Sequence, residues 1–339
     1  FSCCYTYSSL KGGLLMSVIT PYLFVPAIRE RNLDKALGIS LSGHGKIIFD
    51  LEDSVGALDD LLLSGELKVK ARNILIEFFK INHINFLIRT NDVQSKFWEA
   101  DKNFLLELSK ILPMANLCQG IVMSKTNSSD EILTFLDWWK VRHPFSLPIV
   151  PLIETVEGFK NLKEIAEVPG VIGLIFGHHD YFMDLSIAND KIIFPVPRSP
   201  LTSQIYRDIL NEFINVTNKS NKNLELIDGV YSYLHDLDGI KDIGTYLFQL
   251  DSNVSWGKLV LNPKQFDALN DLNKSIDDVE IDLSNVDDLV SDEIKLQLAI
   301  KLTSESTVHS DLKVTRIKGR YVSPQERTLA EKFISENET

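Results

Sequence analysis

Short apolar runs rich in β-branched and aromatic residues alternate along this chain with longer stretches of helical period. This is the pattern of a parallel sheet covered by helices. Eight such runs stand out: YLFVPA (22–27), KIIFDLED (46–53), INFLIRTN (84–91), GIVMSK (120–125), LPIVPLIET (147–155), VIGLIFGHHD (171–180), LELIDGVY (224–231) and GKLVLNP (257–263). Each is followed by a segment that reads as a helix. SSDEILTFLDWWKVRH (128–143) opens with a serine and an acidic first turn, and EIAEVPG (164–170) ends on Pro-Gly punctuation. The pattern predicts an α/β fold, a (β/α)8 TIM barrel over residues 18–270. A doubly wound open sheet is the alternative, and eight repeats without a Gly-rich phosphate fingerprint favour the barrel.

These runs are apolar in the middle and become polar at their carboxyl ends: Glu52 and Asp53, Arg89 and Asn91, Lys125, Glu154, Asp180, Asp228 and Asn262. In a closed barrel such positions converge on the mouth where this architecture places its chemistry. Glu154 and Asp180, at the ends of consecutive strands, supply hard oxygen donors suited to Mg2+, which typically takes one or two carboxylates and completes its octahedron with water and substrate oxygens. The structural alternative is a pair of rim salt bridges. Arg89 is a candidate to grip a substrate carboxylate bidentately, with a salt bridge to Glu52 or Asp53 as its alternative. Arg29 is a second anion-binding candidate, although a solvent-facing helix start explains it nearly as well, and Lys125 is a further substrate-binding cation. His178 and His179 point to opposite sides if the chain there is extended, so at most one could reach an ion, and a hydrogen-bonded role is favoured over ligation. Trp138 and Trp139 read as packing residues rather than ligand platforms. Triad, P-loop and dinucleotide fingerprints are absent from the sequence.

Charge narrows the partners. With 35 Lys and Arg against 47 Asp and Glu, the net charge of −12 and the lack of a basic cluster argue against nucleic acid and anionic membranes. Cys3, Cys4 and Cys118 are an odd set without metal-site spacing, so neither a disulfide framework nor a zinc site is expected, and a reducing cytoplasm is the expected setting. Phe1 to Ser17 lacks the basic and apolar regions of a secretory signal. With Met16 just ahead of the first strand, residues 1–17 read as a translated upstream or added segment expected to be disordered. Beyond residue 270 the pattern changes. SIDDVEIDLSNVDDLVSDE is acidic and poor in aromatics, LKVTRIKGRYV alternates like a strand, and SPQERTLAEKFISENE resembles a capped helix. Residues 271–339 therefore read as an acidic insertion with a C-terminal helical appendage.

Taken in order and spacing, LFVPAIRERNLDKAL, IIFDLEDSV, FLIRTND, VMSKTNS, PLIETVEGF, LIFGHHDY, IDGVYSYLHDLDG and GKLVLNPKQ resemble the citrate lyase beta-subunit-like members of the HpcH/HpaI aldolase superfamily over about residues 22–270. That resemblance implies a magnesium-dependent carbon-carbon lyase acting on a citryl- or malyl-type thioester, with coenzyme A as a candidate carrier, or on a related 2-oxo acid adduct. It places the metal carboxylates on Glu154 and Asp180, the substrate-carboxylate arginine on Arg89, and the acidic pair bordering the metal's water shell on Glu52 and Asp53. It also implies a homo-oligomer, a trimer or a multiple of three. This chain departs from the family pattern at Ala27, where a glycine is usual, at Leu261-Asn262-Pro263, where Ile-His-Pro is usual, and by the 271–320 insertion. A divergent substrate is the expectation. Two other readings stand beside the lyase: a catalytically divergent metal-binding barrel serving as a subunit or scaffold, and an enzyme acting on phosphoenolpyruvate-like substrates.

Overall fold

A computed structural model describes residues 19–28, 30–56, 61–188, 204–251, 254–274, 307–309, 314–317, 320–322, 331 and 334–335. Eight parallel strands, β1 (Thr20–Pro26), β2 (Lys46–Asp50), β3 (Phe86–Thr90), β4 (Cys118–Met123), β5 (Ile149–Ile153), β6 (Gly173–Phe176), β7 (Glu225–Asp228) and β8 (Ser255–Val260), lie side by side in chain order. The pairing of β1 with β8, in register from Thr20 opposite Gly257 to Leu23 opposite Val260, closes the barrel and excludes the open sheet. The strands are uniformly apolar because both their faces are covered. Alternate residues point inward, where Tyr22, Phe24, Ile48, Leu87, Val122, Val150, Leu152, Ile175, Ile227 and Leu259 fill the lumen. Their neighbours point outward against the helices.

The covering helices are α1 (Glu30–Ser42), α2 (Leu61–Ile81), α3 (Trp98–Ile111), α4 (Met114–Leu117), α5 (Ser129–Lys140), α6 (Val156–Lys160), α7 (Leu162–Glu167), α8 (His178–Ala188), α9 (Gln204–Lys219), α10 (Leu237–Leu250) and α11 (Pro263–Leu272). Their starts follow local chemistry. Ser128 caps α5 in a reciprocal box with Glu131, and Asn262 caps α11 ahead of a proline in its first turn. Trp139 is buried, with its indole N–H on the Phe145 carbonyl, and Trp138 packs between Phe135 and the cations of Lys102 and Arg142. Both serve packing, as their sequence context indicates.

Most of the strands stop short of the spans read from sequence. The sixth shows why: Tyr181 N–H already bonds the Gly177 carbonyl, so the chain turns helical immediately after Phe176. His178, His179 and Asp180 therefore occupy the first turn of α8, and the argument that an extended chain sends the two histidines to opposite sides does not apply. Towards the carboxyl end, β9 (Thr307–His309), β10 (Val314–Ile317) and β11 (Arg320–Val322) form a small antiparallel sheet, so the stretch LKVTRIKGRYV, read as one strand, is instead a pair of antiparallel strands. Helical conformation appears at Glu331, Ile334 and Ser335, within the expected terminal helix. Residues 1–18 and 275–306, which hold the upstream segment and most of the acidic insertion, lie outside the described residues.

Candidate active site

Strand β2 delivers three carboxylates to the barrel mouth. Asp50 ends the strand, and the chain then bends so that Glu52 caps a 3-10 turn, Asp53–Val55, by accepting from the Asp53 N–H. Asp50 accepts from the backbone N–H groups of Glu52 and Ser54, which fixes that bend. From beneath, the buried Lys68 of α2 donates to the carbonyls of Leu51 and Glu52 at 2.8 and 2.6 Å.

Arg89, at the end of β3, meets this acidic turn. Its Nε and Nη2 donate to the two oxygens of Asp50 at 2.7 and 2.6 Å, its Nη1 lies 3.0 Å from Glu52 and 3.8 Å from Asp53, and its guanidinium sits 4.6 Å from the Phe24 ring centre. One bidentate edge of the arginine is thus engaged inside the protein, by an aspartate that was not among the candidates from sequence. Burial drives the Asp50 carboxyl upward, but Arg89 outweighs it and holds Asp50 at about 2. Asp53, 3.8 Å from Arg89, is matched less closely. Burial, reinforced by the neighbouring charge of Glu52, pushes it up to about 8.

Lys125 follows β4 with a positive φ of 49°. That conformation aims its N–H at Glu154 Oε1, 2.8 Å away, while its ammonium reaches Glu52 Oε1 at 3.1 Å. The charge of Glu52 is the chief reason that Lys125 is held above the ordinary lysine range. Glu154, just after β5, is 4% exposed, and burial together with the charge of Asp180 drives its carboxyl well above the usual range. Gly177 makes this approach possible, since a Cβ there would fall 2.6 Å from the Glu154 Cβ and 3.0 Å from its Oε2.

A cleft of about 390 Å3 opens over these groups. Asp50, Asp53, Arg89, Glu154 and Asp180 line one part, Leu23, Val230, Leu234, Leu259 and Leu261 give it an apolar wall, and Arg31 and Lys35 of α1 stand at its edge. The six sequence candidates Glu52, Asp53, Arg89, Lys125, Glu154 and Asp180 are brought together here. Arg29 lies outside the described residues. Asn91 turns away to hold Asp101, which pairs with Arg72, and so braces the end of β3 from behind. Besides Asp50, sequence reasoning missed Lys68 and Lys258. Lys258 lies directly opposite Asp228 in the β7–β8 register, is fully buried, and donates to Asp228 and to the Gly229 carbonyl. A lysine amid the apolar run GKLVL was the available signal, because a buried ammonium requires a partner.

The family model for HpcH/HpaI aldolase/citrate lyase matches residues 22–263, from within β1 to the first residue of α11. The chain belongs to this family. The resemblance read from its motifs is thereby borne out. A comparison with curated proteins found no match. Among solved structures, RipC from Yersinia pestis is 24% identical, covering 75% of this chain and 94% of that one with a TM-score of 0.52. The citrate lyase beta subunit of Mycobacterium tuberculosis complexed with oxaloacetate and magnesium is 15% identical over 76% of this chain and 97% of that one, with a TM-score of 0.54. CitE of the same organism, in complex with magnesium, acetoacetate and coenzyme A, is 15% identical over 96% and 100%, also at 0.54. At these identities the likeness shows the common barrel fold.

Proposed function

We propose that the chain is a magnesium-dependent carbon-carbon lyase that cleaves, or forms, a citryl- or malyl-type thioester or a related 2-oxo acid adduct. The observation that carries the reading is the crowding of Glu154 and Asp180 at the cleft. Two carboxylates forced together by burial favour a cation between them. Glu154 Oε1 is taken by the Lys125 N–H, which leaves Oε2 beside Gly177 without a protein partner among the described residues. Among those residues no group of three or more His, Cys, Asp or Glu is placed to hold a metal ion, so the proposed site has two protein carboxylates, within the one or two that Mg2+ typically takes. The magnesium in the complexes of the M. tuberculosis proteins supports the same choice.

Glu154 and Asp180 would hold the ion, which when bound supplies Lewis-acid polarisation of the substrate carbonyl. The chain's own groups do the rest. Arg89, held by Asp50 along one edge and by Glu52 at Nη1, lines the cleft and would supply the positive charge that offsets the substrate carboxylate. Lys125 and Glu52 hold each other in place and fix the Glu154 side chain through the Lys125 N–H. The apolar wall takes the remainder of the acyl group, and a coenzyme A carrier is the partner we favour on the strength of the relative that binds it. We assign residues 18–270 to the lyase domain and 271–339 to an appendage, and we infer a homo-oligomer, a trimer or a multiple of three. Among the described residues no helix is long and apolar enough to cross a membrane, and Cys118 is a buried free thiol that burial pushes up to about 12. A reducing cytoplasm is the setting we propose.

The test is cleavage of citryl- and malyl-coenzyme A followed by NMR, with Mg2+ and with a chelator. The proposal predicts cleavage that needs the metal and is lost in Glu154→Gln and Asp180→Asn, both still folded by circular dichroism. Cleavage indifferent to chelation would remove the metal mechanism. Metal binding without turnover of any adduct would instead favour the scaffold reading.

A further inference from the structure

The first turn of α8 carries a group that the lyase proposal leaves without a task. His178 lines the cleft two residues before Asp180, yet it is only 4% exposed. Its Nδ1 faces Asp228 Oδ1 at 3.8 Å, and among the described residues neither atom makes a full hydrogen bond, with the Tyr206 hydroxyl as the other polar neighbour of Asp228. The other oxygen of Asp228 is taken by Lys258, whose ammonium also fastens the Gly229 carbonyl at 2.5 Å. Glycine is required at 229 for this arrangement, since a Cβ there would stand 2.5 Å from His178 Nδ1 and 2.6 Å from the Phe176 carbonyl. The imidazole is also gripped by rings: its centroid lies 4.4 Å from that of His179 and 5.6 Å from that of Tyr206. The ring is buried, and the Asp228 charge it faces is already matched by the Lys258 ammonium, so no unpaired negative charge stands beside the imidazole to hold a second proton on it.

We infer that Lys258, Asp228 and Gly229 hold His178 so that Nδ1–H points at Asp228, and that Nε2 presents an acceptor to the cleft for a hydroxyl of the substrate. In the uncharged ring the carboxylate selects the tautomer, because only a protonated Nδ1 can face it favourably, and the remaining nitrogen, carrying no proton, is the acceptor. The inference rests on the lyase reading and deepens it: the hydroxyl in question is the one that becomes the carbonyl of the 2-oxo acid when the adduct is cleaved. His178 would therefore separate a 2-hydroxy acid, which donates at that carbon, from the corresponding 2-oxo acid, which does not.

Calorimetry of the full chain in Mg2+ with L-malate and with oxaloacetate reads the difference. His178→Phe keeps a ring of similar bulk and removes the acceptor, so malate affinity is expected to fall about tenfold while oxaloacetate affinity holds, the effect of one lost hydrogen bond at a buried site. Unchanged malate binding, or equal loss for both acids, overturns the inference. A parent chain that binds oxaloacetate with Mg2+ but no malate overturns it while sparing the lyase proposal, whereas a parent that binds neither acid overturns both. A crystal of the parent with Mg2+ and L-malate gives a second reading independent of the variant's folding. His178 Nε2 within hydrogen-bond distance of the malate hydroxyl is expected, and a ring with Nε2 turned to Asp228 contradicts it.

Discussion

A lysine at position 89 would keep the positive charge and lose most of what Arg89 does. The guanidinium satisfies both oxygens of Asp50 and also meets Glu52 while 8% exposed, and a single ammonium cannot span those contacts. Arg89→Lys should therefore destabilise the fold by about 3 kcal/mol, the low end for a broken buried pair because one charged contact survives. Urea denaturation checks this, with a lower midpoint at unchanged slope expected. A loss of 2-oxo acid affinity in this variant is accordingly not a clean measure of a substrate contact. Asp50 shows what the sequence concealed and why. The acidic pair Glu52 and Asp53 was visible at the polar end of its run, but Asp50, the residue that holds Arg89, sat inside an apparently apolar stretch. Lys258 and Asp228 were likewise visible as charges. Their partnership depends on the β7–β8 register, which local pattern does not specify.

At the scale of elements, what was legible followed the chemistry of ends. Ser128 with Glu131 announces α5, and the structure forms both halves of the box. Ser128→Ala should cost about 1 kcal/mol of stability while leaving Mg2+ and 2-oxo acid affinities unaltered, which denaturation and calorimetry together would check. The end of β6 was not legible. IFGHHD reads equally as the polar tail of a strand or as a helix start, and only the Tyr181 to Gly177 hydrogen bond decides. The consequence is functional, since His178, His179 and Asp180 all line the cleft, where an extended chain would have turned one of the two histidines away.

For the whole molecule, eight alternations of strand and helix were enough to predict the closed barrel, while closure itself rests on the β1–β8 pairing between segments far apart in the chain. Its mouth concentrates negative charge, and this has a consequence for pH. Asp53, pushed up to about 8, lies above the ordinary unfolded value near 4, so its contribution to stability is fully present below about pH 4 and is lost as pH rises through about 8. Without divalent cations the thermal midpoint should fall from pH 5 to pH 8.5. The increment given by Mg2+ should grow over the same range, because ligand carboxylates must be deprotonated; scanning calorimetry reads both, and an increment that shrinks with pH would contradict the assignment. Light scattering at micromolar concentration should give a trimer or a multiple of three, and a monomer would contradict the assembly we infer. The most direct test of the metal-centred site is calorimetric titration of oxaloacetate and pyruvate into the full chain with Mg2+ and with excess chelator. The account predicts binding in Mg2+ that disappears on chelation and in Glu154→Gln, whereas binding of equal strength without the metal, or no binding in its presence, would contradict it.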